Sequence, residues 1–193
     1  MEARIDALGQ RIAALIDRLG ASGYIFERPD EVFPGPDLGA AEAIRRIEST
    51  VGKLPLALKL FWLRVGSVDL SGSHPDWRAS GYLDQLVVFP SAYAVAELDE
   101  YLDDQEERDS HDAPYVVVPI APDYFHKANV SGGLPYSVSI PAVADDPPLN
   151  GTPTPETLLE HVSNALRFGG FPGLASCPGH TWPVAWLCQS TEG

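Results

Sequence analysis

Asp123, His126 and Ser131 fall within one short segment, PDYFHKANVSGG. A carboxylate, an imidazole and a hydroxyl are the parts of a hydrolytic relay, in which the imidazole takes the hydroxyl proton and the acid orients the imidazole. Spacing along a loop cannot aim three side chains at one another, and the chain has no Gly-x-Ser-x-Gly turn to raise a nucleophilic serine. The same stretch could work as a recognition loop, with Asp123, His126, Lys127 and Asn129 as polar groups on a concave rim. It also reads as a plain surface turn, since Asn129 and Gly132 accept positive φ and Lys127 would be solvated. The residue types allow all three.

A second candidate is electrostatic. ELDEYLDDQEERDSHD carries Glu97, Asp99, Glu100, Asp103, Asp104, Glu106, Glu107, Asp109 and Asp112, with only Arg108 opposing them. Such a face would steer and dock a basic protein. A charge run is also what a solvated helix end looks like. Acids toward a helix C-terminus oppose the helix dipole, so they are not there to stabilise the helix. Trp77, in GSHPDW, and Trp182 are core residues by default and binding anchors if exposed beside this run.

Metal and phosphate chemistry find less. Cys177, His180 and Cys188 are three soft ligands near the end of the chain, whereas a closed zinc site takes four. His161 or His74 could join them only through a contact made by the fold, and His111, between Ser110 and Asp112, reads as solvent-exposed. No metal and no cofactor is expected. The segments SGG and RFGGFPG lack the Gly-Lys-Ser/Thr of a phosphate loop. Two cysteines do not make a disulfide framework.

The chain that must position these groups has 193 residues, enough for one domain. A chain of that size buries roughly 70% of its unfolded surface. With 27 acids against 13 bases, its formal net charge of -14 excludes a phosphate-tracking nucleic-acid binder or a protein seated on anionic lipid. It suits a protein that attracts basic partners. The 17 glycines and 18 prolines predict short elements and many turns rather than a helical bundle. In MEARIDALGQRIAALIDRL the charges at Glu2, Arg4, Asp6, Arg11, Asp17 and Arg18 break any signal-like apolar core. A soluble, cytoplasmic protein is expected.

Periodicity supplies the elements. Ile5, Leu8, Ile12, Leu15, Ile16 and Leu19 predict an amphipathic first helix closed by Gly20 and Gly23. RPDEVFPGPD is a connector. A second helix follows, with Asp37 as N-cap, Leu38, Ala41, Ile44, Ile47 and Val51 on one face, and Gly52 at its end. PLALKLFWLRVG, opened by Pro55, is apolar almost all round and should be the central buried helix.

Short strands come next. Val68 and Leu70 alternate with polar residues before a turn at Gly72, and LVVFP forms another strand ending near Pro90. A helix spans Ala92 to Asp104. YVVVPIA reads as a sheet-interior strand limited by Pro119, and Tyr136, Val138 and Ile140 as a strand with one wet face. Thr154 caps a last helix from Pro155 with Leu158, Leu159, Val162, Ala165 and Leu166 inside, stopped by Gly169 and Gly170. This order predicts a single α+β domain, mainly antiparallel sheet packed by helices. Its parts are an N-terminal helix and connector over 1–36, a core over 37–170 and a tail over 171–193 that packs on the core.

The stretch AIRRIESTVGKLPLALKLFWLRVGSVDLSG resembles the signature of the SUKH superfamily, which holds fungal cell-wall regulators and bacterial immunity proteins. The resembling positions are Ile44, Ile47, Glu48, Gly52, Leu54, Pro55, Leu58, Lys59, Phe61 and Gly66. GGLPYSVSIP is similar to the family's later strand and LLEHVSNALRFG to its closing helix. The pattern departs where Arg64, Val65 and Gly66 replace an Asn-Gly-Gly, and where Ser131, Gly132 and Gly133 replace an acidic-Gly turn.

The resemblance implies a non-enzymatic binding scaffold, most concretely an immunity protein that neutralises a toxin, often a nuclease, by occluding it. On that reading Glu97, Asp99, Glu100, Asp103, Asp104, Glu106, Glu107 and Trp77 meet a basic partner. Two other functions stand beside it: a small hydrolase or ligand-binding enzyme using the 123–131 loop with His126 turned into a pocket, and a regulatory or scaffolding protein of the same fold.

Overall fold

The structure is a computed structural model that describes residues 1–75, 83–108 and 116–173, with the backbone alone for 105–108. Its first half holds α1 (Glu2–Ala21), β1 (Ile25–Phe26), α2 (Ala40–Val51) and α3 (Leu56–Arg64). Then come β2 (Val68–Asp69), β3 (Gly72–Ser73), β4 (Val87–Val88) and α4 (Ser91–Arg108). The rest is β5 (Val116–Ala121), α5 (Tyr124–Lys127), β6 (Tyr136–Ile140) and α6 (Leu158–Arg167). Short antiparallel pairs with helices against them make this an α+β fold.

Apolar residues every third or fourth position give α1 a buried stripe of Ile5, Leu8, Ile12, Leu15 and Leu19. That stripe packs on α3 and α6, so the first helix belongs to the same hydrophobic core as the rest. Arg64 of α3 adds a two-point contact to Asp6 of α1, at 2.6 and 2.5 Å. The pair is exposed enough that packing, not charge, holds the helices together.

Helix α2 differs from the sequence expectation. Leu38 and Ala41 face solvent, and the buried stripe is Ala40, Ala43, Ile44 and Ile47. The helix starts at Ala40, because Asp37 uses its side chain to accept the Gly39 N–H at 2.8 Å and its backbone carbonyl to accept the Ala40 N–H at 3.1 Å. Asp37 thus shapes the approach to the helix from two residues outside its N-cap.

The corner between α2 and α3 is held chemically. Gly52 takes φ 103°. One oxygen of Glu48 then accepts the Leu54 N–H at 3.0 Å and the Lys59 ammonium at 2.8 Å. Helix α3 buries Ala57, Leu58, Phe61 and Trp62 completely and touches α1, α2 and α6, which makes it the central helix. At its end a Cβ on Gly66 would sit 1.8 Å from the Gly35 carbonyl oxygen, so only glycine lets the connector pass so close.

The strands pair antiparallel as β1–β3, β2–β4 and β5–β6. The Phe89 N–H donates to the Ile120 carbonyl at 2.7 Å, joining the end of β4 to β5. Gly72 does not turn the chain; it lies in β3 opposite Phe26. Ser67 and Asp69 are buried along with Val68 and Leu70, so this segment has no wet face.

Pro119 does not end its strand either. The ladder shifts register between Pro119 and Ala121, a bulge that absorbs the missing N–H. Val117 at the start of β5 is half exposed, so the apolar run is interior only from Val118 on. On β6, Ser137 is buried because the following loop covers it: the Asn150 N–H and the Ser137 N–H exchange hydrogen bonds with each other's carbonyls.

Thr154 is not the cap of α6. Thr157 accepts the Glu160 N–H at 3.3 Å while the Glu160 carboxylate accepts the Thr157 N–H at 2.9 Å, a complete capping box. The expected inner face of α6 is buried, and His161 is buried with it. Among the described residues, no helix is long and apolar enough to cross a membrane.

Candidate functional site

A cleft of about 340 Å³ opens beside the β2–β4 pair. Its floor is Val68, Val87 and Val88, which are buried because these two strands pair with each other over the core. One wall is aromatic: Phe89 and Tyr93 lie with ring centroids 4.1 Å apart and planes inclined by 32°. These rings sit where β4 hands over to α4. The opposite wall comes from the connector, with Arg28, Asp30, Glu31 and Pro34. Asp69 stands between floor and wall, its Oδ1 accepting the Ser71 N–H at 2.9 Å and its Oδ2 taking the Arg28 guanidinium.

The acidic helix runs away from this cleft. Tyr93, at its mouth, donates its hydroxyl to Glu97 one turn on; burial first, and that carboxylate second, raise the phenol to about 12. Asp99 is paired with Arg46 of α2 at 2.6 Å, with both side chains still partly exposed. Glu100, Asp103 and Asp104 are exposed. Glu106 and Glu107 lie on the last turn of α4, and their side chains are outside the described residues, as are Trp77, Trp182, His111, Asp109 and Asp112. Ala94, Leu98, Val95 and Leu102 face the core, which leaves the acids the outer arc of the helix.

The 123–131 segment folds into something the sequence did not suggest. Asp123 caps the short helix α5, accepting the Phe125 N–H at 2.8 Å and meeting His126 Nδ1 at 2.5 Å. Its carboxylate is buried under Gly133, where a Cβ would come within 1.9 Å of Oδ1. His126 is 58% exposed and turns outward, not into a pocket. Asn129, with φ 57°, and Ser131 are at the surface.

Lys127 is the correction. Its side chain is 1% exposed rather than solvated, and its ammonium donates to Asp84 Oδ1 at 2.6 Å. Tyr136 donates to the other Asp84 oxygen at 3.1 Å, and the ammonium stands 4.7 Å from the Tyr136 ring centre. Sequence reasoning missed this network because Asp84 lies more than forty positions from both partners, 43 from Lys127 and 52 from Tyr136.

Burial alone would push the Asp123 carboxyl up, but the His126 ring and the N–H groups of Phe125 and His126 outweigh it and hold the group below the usual carboxylate range. A carboxylate depressed in this way adds stability above its unfolded value, near 4, and loses it as the pH falls through the folded value. The stability difference between the wild type and Asp123→Asn, read from urea unfolding, should therefore shrink as the pH drops below about 4. A difference that is unchanged from pH 5 to pH 3 would refute the assignment.

Metal chemistry finds no support among the described residues, where no group of three or more His, Cys, Asp or Glu could hold an ion. His161 is buried against Glu156, with Nδ1 2.7 Å from Oε1, and a His74 ring nitrogen lies 2.7 Å from the Ser22 carbonyl. Cys177, His180 and Cys188 are outside the described residues. The residues sequence reasoning did not single out are those of the cleft, Arg28, Asp69, Phe89 and Tyr93; they come from three separate stretches of chain, and no local pattern joins them. Compared with known families, curated proteins and solved structures, the chain matches none.

Proposed function

We propose that the chain is a SUKH-like protein-binding module that occludes a basic partner, in its most concrete form an immunity protein for a cationic toxin such as a nuclease. The observation that carries this reading is the continuity of two surfaces. A cleft with a valine floor and an aromatic wall opens at the start of α4, and the outer arc of the same helix presents Glu100, Asp103 and Asp104 to solvent. The first can set how slowly a complex dissociates, and the second how fast it forms. Trp62 of α3 supports the reading by donating its indole N–H to the carbonyl of Phe89, in the aromatic wall of the cleft, at 2.9 Å.

The test is titration of the protein into an assay of a cationic nuclease encoded next to it. Inhibition that saturates at one protein per nuclease is expected. Full nuclease activity at saturating protein would remove the proposal. In the inhibiting pair, Glu100→Lys with Asp103→Lys should slow association by about tenfold at low salt and flatten its salt dependence, with little change in dissociation. Stopped-flow kinetics reads both rates. A variant that instead dissociates faster with unchanged association would show that α4 is not the steering surface.

A further inference from the structure

The cleft has its own charge logic. Three carboxylates line it, Asp30, Glu31 and Asp69, against a single cation, Arg28. Asp69 is fixed: its side chain is 11% exposed and one oxygen is tied to the Ser71 N–H. Arg28 is not. Its side chain is 53% exposed, reaching Asp69 with one nitrogen and Glu31, at 3.5 Å, with another. A fixed, nearly buried acceptor is thus capped by a donor that is itself half exposed, so an incoming cation that takes its place keeps the Asp69 charge paired while Arg28 moves into water.

We infer that this cleft is a receptor for an arginine side chain of the partner, whose guanidinium replaces that of Arg28 on Asp69 while a neighbouring apolar residue covers the valine floor. The inference rests on the protein-binding reading above and names the chemistry recognised. Charge complementarity selects a cation. Tyr93, which lines the cleft with its ring against Phe89, favours a planar one, because a guanidinium stacks on a ring and bridges two carboxylates as an ammonium does not. The volume, about 340 Å³, lies at the lower end of the ~300–1,000 Å³ of small-ligand sites and suits one side chain with its neighbour rather than a cofactor.

The probe is N-acetyl-phenylalanyl-arginine amide, titrated into the full chain while the methyl NMR signals of Val68, Val87 and Val88 are followed. The control is the same dipeptide with citrulline, which keeps the shape and loses the charge. Saturable shifts are expected with the arginine probe, and binding weaker by about tenfold or more with citrulline. Arg28→Ala should strengthen binding several-fold by removing the internal competitor, whereas Asp69→Asn should weaken it by about tenfold. A residue that merely supported the fold would not improve binding when deleted. Absent shifts, equal binding of the two probes, or weaker or unchanged binding by Arg28→Ala would each overturn the inference. The dipeptide is too short to span the outer arc of α4, so Glu100→Lys with Asp103→Lys should leave its affinity within about twofold. Dipeptide binding without nuclease inhibition would fail the functional reading alone; inhibition without dipeptide binding would fail the arginine receptor alone.

Discussion

Lys127→Met is expected to remove about 3–5 kcal/mol of folding stability, the usual effect of deleting one partner of a buried ion pair. Lys127 sits on α5 with its side chain 1% exposed, and its ammonium meets Asp84 at 2.6 Å. Burial pushes the Lys127 ammonium below its usual range, and Asp84 is the main group resisting that. Removing the ammonium leaves the Asp84 carboxylate, itself about 10% exposed, with the Tyr136 hydroxyl as its remaining described side-chain partner. A single hydroxyl does not balance a desolvated charge.

The network also fixes the tertiary arrangement, because its members come from α5, from β6 and from the segment before β4. Asp84 is held at φ 50°, a conformation that Asn also accepts. Lys127→Met combined with Asp84→Asn should therefore be more stable than Lys127→Met alone, since the stranded charge is gone. Urea unfolding of the two single variants and the double variant gives the coupling directly. A loss below about 1 kcal/mol for Lys127→Met would show a solvated pair.

Trp62→Ala should cost a similar amount, about 3–5 kcal/mol, for a different reason. The indole of Trp62 is completely buried at the centre of α3, and its N–H donates to the Phe89 carbonyl at 2.9 Å. Alanine opens a cavity in a close-packed core that relaxes only partly, and it removes the donor to that carbonyl. Trp62→Phe separates the two contributions. It keeps most of the ring volume and loses the hydrogen bond, so it should cost about 1–2 kcal/mol. Equal losses for the two variants, measured as unfolding free energies at unchanged denaturant slope, would mean that the hydrogen bond rather than the packing dominates. Because Phe89 forms the wall of the cleft, Trp62→Ala should also loosen the site, while Trp62→Phe should preserve it.

Particular elements show how far the sequence could be read. The stripe of α1, the corner at Gly52 and the apolar third helix follow from periodicity and backbone stereochemistry, which depend on neighbours a few residues away. The inner face of α6 was legible for the same reason. Its cap was not placed correctly, although the Thr-x-x-Glu pattern at Thr157 and Glu160 was there to be seen. Leu38 lies outside the helix because Asp37 binds the Gly39 and Ala40 N–H groups and the helix starts only at Ala40, while Ile44 and Ile47 keep the inward face that periodicity gives them.

In the candidate site, the acids of α4 could be listed from composition, and their outer arc follows once Leu98 and Ala94 face inward. That Asp99 pairs with Arg46 could not be read, since the two lie 53 residues apart. Lys127 is the sharpest case. A lysine in a polar loop is solvated unless a distant carboxylate is delivered to it, and Asp84 is delivered only by the pairing of strands.

The amino-acid sequence alone determined where the five longer helices lie, where several of them stop, and that the chain carries a large negative charge, because each depends on local stereochemistry or simple counting. The tertiary structure alone decided which acids stay exposed, which lysine is buried, and that Arg28, Asp69, Phe89 and Tyr93 enclose one cleft. Those outcomes depend on contacts between residues far apart in the chain, and a contact of that kind has no signature until the backbone has folded to make it.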